Sequence, residues 1–181
     1  MMHRPPIKFC KQCGTAVEYR IPDDGDTKVR AVCPSCDTIH YENPLTVVGT
    51  VPSWGDRVLL CKRNIEPRFG LWTLPAGFME LNETTTEGAA RETVEEAGAQ
   101  FEMQDLFSLV NVSRVGQVHL FYRAKLTSDQ FDPGVETIEA RLFLESEIPW
   151  EEIAFHTTRV TLECFFADRR KGGFSLHHLD V

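Results

Sequence analysis

Two stretches near the N-terminus alternate between apolar and polar residues. Val17, Tyr19 and Ile21 are separated by polar residues, and the alternation resumes at Val29 after an acidic turn. A repeat of two is typical of β-strands, because successive side chains point to opposite faces. The pattern therefore predicts a two-stranded hairpin within residues 8–40.

The remainder of the chain combines short apolar runs, rich in β-branched residues, with two longer helical patterns. Strands are predicted over residues 45–51, 58–61, 71–74, 106–112, 117–126 and 138–144. Residues 84–97 are rich in Ala and Glu and precede Gly98, which predicts a helix that ends there. A second helix is predicted over residues 158–170. Many strands with few helices predict an α/β fold in which a mixed sheet lies between helices.

The composition is that of a globular protein. Of 181 residues, 42% are hydrophobic and 25% are charged, which excludes disorder as the main state. Lys and Arg number 19 against 27 Asp and Glu, so the net charge of -8 argues against nucleic-acid binding through bulk electrostatics. The longest uncharged stretch, residues 43–55, is too short for a membrane span, and residues 1–6 lack the apolar core of a signal peptide. We therefore expect a cytoplasmic protein that binds neither nucleic acid nor membrane.

Four of the six cysteines form two C-x2-C pairs separated by 19 residues. They are Cys10, Cys13, Cys33 and Cys36. Each pair can direct two thiolates at one ion, so the spacing predicts a tetrahedral, structural Zn2+ site. The alternatives are two disulfides, which a reducing compartment disfavours, and iron in a rubredoxin-like site. A hairpin this small needs its metal to be stable, so we expect a zinc ribbon in residues 1–41 and a second domain in residues 42–181.

The predicted helix over residues 84–97 carries three glutamates on one face: Glu92, Glu95 and Glu96. Their mutual repulsion is costly without a cation, and hard oxygen ligands select Mg2+ or Mn2+. Gly77 lies in the preceding loop, where its backbone carbonyl can add a ligand. Arg91 lies one turn from Glu95 and can form a bidentate ion pair with a carboxylate. The alternative is a solvated acidic helix face without a metal.

Residues 77–99 also fit a long motif, G-x5-E-x7-R-E-U-x-E-E-x-G-U, where U is a bulky aliphatic residue. Seven specified positions match: Gly77, Glu83, Arg91, Glu92, Glu95, Glu96 and Gly98. The segment therefore resembles the Nudix box. Thr93 and Ala99 depart from it, because both stand where a bulky aliphatic residue is usual, and Thr93 is expected to lose a contact on the inner face of the helix. That inner face is expected to consist of Ala89, Ala90, Val94 and Ala97.

The whole chain, from Phe9 to the second helix, is similar to zinc-ribbon Nudix hydrolases of the ADP-ribose and FAD pyrophosphatase kind. This resemblance implies an α/β/α sandwich with a mixed sheet, an N-terminal zinc ribbon and a homodimer. It also implies hydrolysis of the pyrophosphate bond of a nucleoside diphosphate linked to another group, X.

The same resemblance assigns roles to the box residues. Glu83 would support the site and Arg91 would orient the glutamates. The implied ligands of the catalytic Mg2+ or Mn2+ are Glu92, Glu95, Glu96 and the carbonyl of Gly77. The general base stays open between a box glutamate and a glutamate of a downstream loop, whose alternative role is that of an exposed charge beside a strand. The candidates are Glu95, Glu96, Glu136 and Glu139.

Substrate-binding residues are predicted outside the box. Arg63 and Arg68 precede the Gly77 loop, where they either meet phosphates or are surface charges. Arg114 is a candidate for contact with X. Three strand aromatics either stack on a base or pack in the core: Phe107, Phe121 and Tyr122.

The choice of substrate has alternatives. NADH pyrophosphatases also combine a zinc ribbon with this box, but they typically carry S-Q-P-W-P-F-P-x-S, whereas residues 109–117 are L-V-N-V-S-R-V-G-Q. The proline that often follows the box in ADP-ribose enzymes is absent, so FAD is ranked above ADP-ribose, with AMP and a phosphorylated product expected. The other alternative is a non-catalytic ligand sensor whose ribbon contacts a partner. Such sensors usually lose box glutamates, which this chain keeps.

Overall fold

The computed structural model describes residues 5–181, so residues 1–4, at the start of the predicted unit 1–41, lie outside the described residues. The chain forms two compact units, one ending at Pro44 and one spanning Leu45–Val181. Each unit has its own sheet. Within residues 5–181, no helix combines the length and the apolar character needed to cross a membrane.

The N-terminal unit is a three-stranded antiparallel sheet. Its strands are β1 (Glu18–Arg20), β2 (Arg30–Val32) and β3 (Ile39–His40), in the order β1-β2-β3. The first two strands form the predicted hairpin. The third strand corrects the expectation of a two-stranded ribbon: the chain turns back after the second cysteine pair, and two residues are too few to show a repeat of two.

The second unit contains eight strands and two helices. The strands are β4 (Leu45–Trp54), β5 (Arg57–Arg63), β6 (Trp72–Thr73), β7 (Ala76–Phe78), β8 (Phe101–Val112), β9 (Gln117–Leu126), β10 (Thr137–Phe143) and β11 (His177–Asp180). The helices are α1 (Thr85–Ala97) and α2 (His156–Lys171). The strand order is β10-β5-β4-β9-β8-β11, with β6 beside β5 and β7 beside β4. The β4–β9 and β8–β11 pairs are parallel and the other pairs are antiparallel, so the predicted mixed sheet is confirmed.

Strands β4 and β5 diverge, and a short segment fills the gap between them. They pair at their turn, where Ser53 and Trp54 face Val58 and Arg57. Further along, β6 pairs with β5 and β7 pairs with β4. Because Pro and Gly interrupt its apolar pattern, β7 was predicted to be a loop. It is instead a strand, since its backbone groups supply hydrogen bonds that the diverging β4 needs.

The two helices lie on opposite faces of this sheet. Phe121 and Tyr122 are neighbours in β9 and therefore point to opposite faces. The Tyr122 hydroxyl lies 2.6 Å from the hydroxyl of Thr85 in α1, whereas Phe121 belongs to an apolar cluster with Phe165 and Phe166 of α2. A second apolar cluster includes the end of α1 and consists of Leu59, Cys61, Ala97, Ala99 and Leu126. The predicted α/β/α sandwich is confirmed.

The C-terminal strand β11 has no counterpart among the predicted elements. It adds to the sheet in parallel beside β8, and its H-H-L-D sequence shows no apolar alternation. A buried carboxylate ties this end of the chain to α2: Asp168 accepts a hydrogen bond from the backbone N–H of Ser175 at 3.0 Å, and its Oδ2 lies 2.8 Å from His177 Nε2. Tertiary contacts, rather than local pattern, therefore define this strand.

Candidate active site

Helix α1 is defined by local sequence signals at both ends. Thr84 is its N-cap: the Thr84 hydroxyl accepts from the backbone N–H of Glu87 at 3.2 Å, and the Glu87 carboxylate accepts from the backbone N–H of Thr84 at 2.8 Å. This capping box satisfies two backbone donors of the first turn. At the other end, Gly98 is in the left-handed conformation and its N–H donates to the Val94 carbonyl at 2.8 Å. The two caps therefore determine where α1 begins and ends.

The buried face of α1 is small and partly polar. The expected place of Val94 on this face is wrong, because its side chain is 54% exposed while Thr93 is fully buried. The Thr93 hydroxyl lies 2.7 Å from the hydroxyl of Thr50 in β4 and donates to the Ala89 carbonyl at 2.7 Å. A bulky aliphatic residue at position 93 would make an apolar contact on this face. Thr93 makes hydrogen bonds there instead.

Arg91 lies at the centre of a carboxylate network. Its Nε and Nη2 lie 3.0 and 2.8 Å from the two oxygens of Glu83, which is a bidentate ion pair. Its Nη1 lies 2.7 Å from Glu92 and 3.1 Å from Glu95, and its Nη2 donates to the Phe78 carbonyl at 3.2 Å. Hydrogen bonds from Arg91 lower the pKa of Glu83 to about 2. One guanidinium thus holds three carboxylates in place.

Glu96 and Glu92 face the backbone of β7. Glu96 is 7% exposed and accepts a hydrogen bond from the backbone N–H of Ala76 at 2.9 Å. Gly77 lies so close to Glu92 that a Cβ at position 77 would displace the carboxylate. Burial raises the pKa of Glu96 to about 7 and also raises the pKa of Glu92. Both carboxylates are therefore costly to keep charged in this environment.

These groups fit a divalent cation. The oxygens of Glu92, Glu95 and Glu96 beside the backbone of Gly77 are hard ligands of the kind that Mg2+ and Mn2+ prefer. The buried Glu96 carboxylate also lacks a hydrogen bond from Arg91, so a cation would add to the counter-charge that Arg63 provides only in part. Among residues 5–181, only the cysteine thiols form a group of three or more candidate ligands within 4.8 Å of one another.

The loop between β9 and β10 packs against the end of α1. Asp132 donates its backbone N–H to the Ala97 carbonyl at 3.1 Å. Asn64, which follows β5, holds the other side of the loop: its backbone N–H donates to the Glu136 carbonyl and its side-chain amide donates to the Val135 carbonyl, both at 2.8 Å. Both ends of the segment that carries Glu136 are thus tied to the elements that form the site.

The two downstream glutamates occupy different environments. Burial is the main cause of the raised pKa of Glu96, and the negative charge of Glu136 raises it further. Glu139 lies opposite Lys62 in the pairing of β10 with β5, and its carboxylate is 3.6 Å from Arg141. The structure therefore brings Glu136 towards the box carboxylates and pairs Glu139 with cations on the sheet.

Arg63 is a buried cation beside the box. It ends β5, is 8% exposed, and donates from Nε to the Pro67 carbonyl at 2.9 Å. Its guanidinium lies 5.0 Å from the ring centre of Phe155, at the start of α2. The positive charge of Arg63 partly offsets the effect of burial on the pKa of Glu96.

The remaining predicted substrate residues are not gathered with the box in this way. Arg68 is exposed in the loop between β5 and β6, with a positive φ of 70°. Arg114 is exposed in the short 3-10 turn Ser113–Val115, and it forms no hydrogen bond or ion pair with the described part of the chain. Phe107 and Phe121 are 1% and 2% exposed and belong to the core, while the Tyr122 hydroxyl bonds the first turn of α1.

Three residues that shape the site belong to no motif in the sequence: Thr50, Asn64 and Phe155. Thr50 carries a weak signal, since a hydroxyl within the apolar run over residues 45–51 needs a buried partner. Asn64 and Phe155 lie outside any motif, and their contacts join segments far apart in the sequence.

The four cysteines of the N-terminal unit form one cluster. The Sγ–Sγ distances are 3.7 Å for Cys10–Cys36, 3.4 Å for Cys13–Cys33 and 3.5 Å for Cys13–Cys36. Tetrahedral zinc with bonds of about 2.3 Å places its sulfur ligands about 3.8 Å apart. All four are free cysteines, so the structure does not contain the alternative pair of disulfides.

Both cysteine pairs adopt the same turn. The backbone N–H of Gly14 donates to the Cys10 carbonyl at 2.9 Å, and that of Asp37 donates to the Cys33 carbonyl at 3.0 Å. Gly14 and Asp37 have positive φ values of 76° and 53°. The two turns thus present their thiols to one point, as a metal knuckle requires.

Family models match both units. Residues 8–42 match a zinc ribbon described as Nudix N-terminal, and residues 44–161, more than half of the chain, match the NUDIX domain. The chain belongs to the Nudix family. The predicted hydrolase class is thereby confirmed, and Nudix enzymes use divalent metals, in agreement with the carboxylate site on α1.

This Nudix hydrolase is similar to proteins of known structure and to curated proteins. A crystal structure of a NUDIX hydrolase from Nitrosomonas europaea is 49% identical, with a TM-score of 0.90 over 97% of this chain and 100% of that chain. The NAD(P)H pyrophosphatase NUDT13 of Mus musculus is 33% identical over 95 residues, which are 52% of this chain and 25% of that protein. The NAD-capped RNA hydrolase NudC of Stutzerimonas stutzeri is 26% identical over 166 residues, which are 90% of this chain and 57% of that protein. The chain thus spans a quarter to just over half of the length of these curated relatives.

Proposed function

We propose that this Nudix hydrolase cleaves the pyrophosphate bond of an AMP-containing nucleoside diphosphate of the FAD or ADP-ribose type. The products are AMP and the phosphorylated second half of the substrate. The observation that carries the proposal is the burial, at the box, of one acidic and one basic side chain: Glu96 is 7% exposed and Arg63 is 8% exposed. The Glu96 carboxylate suits a metal ion that binds phosphate, and the Arg63 guanidinium can bind phosphate oxygens directly. Low solvent exposure strengthens both interactions.

The box residues hold the metal and keep one another in place. Glu92, Glu95 and Glu96 would bind Mg2+ or Mn2+ together with the carbonyl of Gly77. When bound, the ion neutralises the pyrophosphate and lowers the pKa of a water for attack on phosphorus. Arg91 orients Glu92 and Glu95 through the hydrogen bonds described above, and Glu83 anchors Arg91 in turn.

Glu136 is the better candidate for the general base outside the box. Its charge acts on Glu96, and Asn64 fixes the backbone on which it stands. Glu139 pairs with Arg141 and is therefore assigned to the sheet surface. A base on this loop can receive a proton from a water while the box glutamates remain metal ligands.

Two loops beside the site supply surface for the second half of the substrate. The loop 64–70 and the loop 132–136 are joined by Asn64 and carry exposed apolar side chains, Phe69 at 56% and Val135 at 90% exposure. The flavin ring of FAD would cover this apolar surface, whereas neither ADP-ribose nor ATP has a second aromatic ring to place there. Arg68, on the first of these loops, and Arg114 remain candidates for contacts with the substrate.

The test is a substrate panel of FAD, ADP-ribose, NADH, diadenosine polyphosphates and ATP, each with Mg2+ and with Mn2+. The expected order of kcat/KM is FAD, then ADP-ribose, then ATP, with AMP as a product of the first two. Preference for ATP with release of inorganic pyrophosphate would overturn the substrate class and leave the reaction class intact.

NADH is the second candidate substrate. The specific observation in its favour is the similarity to the curated relatives named as NAD(P)H pyrophosphatase and NAD-capped RNA hydrolase. A kcat/KM for NADH above those for FAD and ADP-ribose would select this candidate.

We also propose that the ribbon holds one Zn2+ through Cys10, Cys13, Cys33 and Cys36. The spacing of their sulfurs supports this assignment. Elemental analysis of the purified protein should find about one zinc per chain, as a closed four-thiolate site requires. Iron with its visible absorption, or no metal at all, would contradict the proposal.

A further inference from the structure

Thr50 contacts both halves of the candidate active site. Its backbone N–H donates to the Pro75 carbonyl at 3.1 Å, directly before the residues of β7 that face the glutamates. Its side-chain hydroxyl lies 2.7 Å from that of Thr93, the helix residue beside Glu92. Both threonines are fully buried. A single strand residue thus spans the gap between the β7 backbone and the carboxylates of α1.

The direction of these hydrogen bonds follows from counting hydrogens. A threonine hydroxyl has one hydrogen to donate, and a backbone carbonyl can only accept. Because Thr93 donates to the Ala89 carbonyl, its oxygen must accept from Thr50. The chain therefore runs from Thr50 through Thr93 to Ala89, and it leaves no hydroxyl hydrogen unpaired.

The apolar face of α1 is too small to fix its position by itself. The buried residues other than Thr93 and Glu96 are Gly88, Ala89 and Ala97. Such small side chains give little interlocking with the strands beneath, so a helix packed through them can rotate or slide at low cost. A directional hydrogen bond in a buried location opposes both movements.

We propose that Thr50 and Thr93 are positioning residues, which hold the glutamates of α1 at the correct distance from the backbone of Ala76 and Gly77. This inference rests on the proposed role of Glu92 and Glu96 as metal ligands. Thr50 holds the β7 segment through its backbone amide and the helix through its hydroxyl. Both sides of the metal site are therefore positioned by the same residue. Loss of the hydroxyl chain should weaken metal binding even where the fold survives.

The test compares four variants with the intact protein. They are Thr93→Val, Thr50→Val, the double variant and Thr93→Ser. Mn2+ binding is measured by calorimetry without substrate, and thermal unfolding is measured in EDTA. Thr86→Val is the matched control, because Thr86 is an exposed threonine of the same helix.

Thr93→Val should have the largest effect of the single changes, because it leaves the buried Thr50 hydroxyl without an acceptor. Its melting temperature should fall by about 5 °C, and its dissociation constant for Mn2+ should rise about tenfold, as for other partners that support metal ligands. Thr50→Val should have smaller effects on both, since Thr93 still donates to Ala89. Thr93→Ser and Thr86→Val should match the intact protein.

The double variant separates positioning from stability. Its melting temperature should recover, since no hydroxyl is left unpaired, while its Mn2+ affinity should stay reduced. Recovery of both quantities would overturn the positioning role, as would unchanged Mn2+ affinity in every variant. Glu96→Gln tests the underlying assumption separately: if it binds Mn2+ as tightly as the intact protein, the proposed ligand set fails whatever the threonine variants show.

Discussion

Helices α1 and α2 cover opposite faces of the same sheet, and both form buried hydroxyl pairs with it. Thr158 and Thr161 of α2 lie 3.1 and 3.0 Å from the hydroxyls of Thr73 and Ser108. The two helices differ in the size of their apolar contacts. α2 is anchored by large apolar side chains, among them Phe165 and Phe166, which are 3% and 1% exposed. α1 packs through glycine and alanine and is tied to the sheet by hydroxyl pairs, such as Thr93 with Thr50 at 2.7 Å.

The two helices have different roles: α2 contributes mainly to stability, and α1 carries the functional carboxylates. A fully buried phenylalanine contributes roughly 2–3 kcal/mol to stability, so α2 supplies a large favourable term. The buried Glu96 of α1 opposes folding in its charged form, as its raised pKa indicates. The stability contributed by α2 thus offsets the cost of burying a charged group on α1. Substitutions on α2 should therefore change mainly stability, and substitutions on α1 should change mainly turnover.

The largest expected effect is on turnover and comes from α1. Glu96→Gln keeps the shape of the side chain and its acceptor for the Ala76 N–H, but removes the charge. Loss of one anionic ligand should lower kcat about a thousandfold, or about 4 kcal/mol of transition-state stabilisation. The melting temperature in EDTA should not fall, because the neutral side chain is easier to bury. Near-normal kcat at saturating Mg2+ would show that Glu96 is not a required ligand.

The next effect is on stability and comes from α2. Phe166→Ala removes a ring that lies 5.7 Å from Phe165 and 6.4 Å from Trp150, measured between ring centres. The free energy of unfolding in urea should fall by about 3–5 kcal/mol. The kcat of the folded fraction at low temperature should stay within about twofold of the original, since a stability change alone leaves the chemical step intact. Phe174→Ala, at an exposed position, is the control and should cost less.

A smaller effect is expected at the start of α1. Thr84→Ala removes the hydroxyl that caps the helix and should lower the free energy of unfolding by about 1 kcal/mol. Thr86→Ala, two residues later, alters an exposed threonine that does not cap the helix and should change this free energy much less. Equal effects of the two changes would indicate that the cap contributes nothing.

The smallest effect is a pH dependence at the end of α2. The contact with His177, followed by the hydrogen bond from Ser175, lowers the pKa of Asp168. A lowered carboxyl pKa gives stability that is fully present above about pH 4, the unfolded value, and is lost as pH falls through the folded value. Urea unfolding between pH 5 and pH 2.5 should therefore show a steeper loss of stability in the original protein than in Asp168→Asn. If stability fell with pH at the same rate in both proteins, Asp168 would not contribute to the pH dependence.

The sequence predicted the chemistry of α1 better than its packing. Glu92, Glu95 and Glu96 could be placed on one face because helical spacing alone decides which residues are neighbours. Thr93 could not be assigned correctly, because its partner Thr50 lies 43 positions away and nothing local relates the two.

The same limit applies to the sheet. Strand β7 was missed because its hydrogen bonds depend on the divergence of β4 and β5, which no single segment encodes. Strand β11 was missed because a buried carboxylate on α2 holds its start. Arg63 had the right residue type for phosphate, but its burial against Phe155 depends on contacts made across the fold.

The guanidinium of Arg91 stands among three carboxylates, those of Glu83, Glu92 and Glu95. It gives this acidic face a positive charge of its own, so we expect the catalytic unit to fold before it binds its divalent ions. For the zinc ribbon we expect the opposite order of folding and metal binding. Its three short strands bury few side chains, among them Cys10, Cys33, Ala31 and Val32, so we expect the proposed zinc to bind while that segment folds.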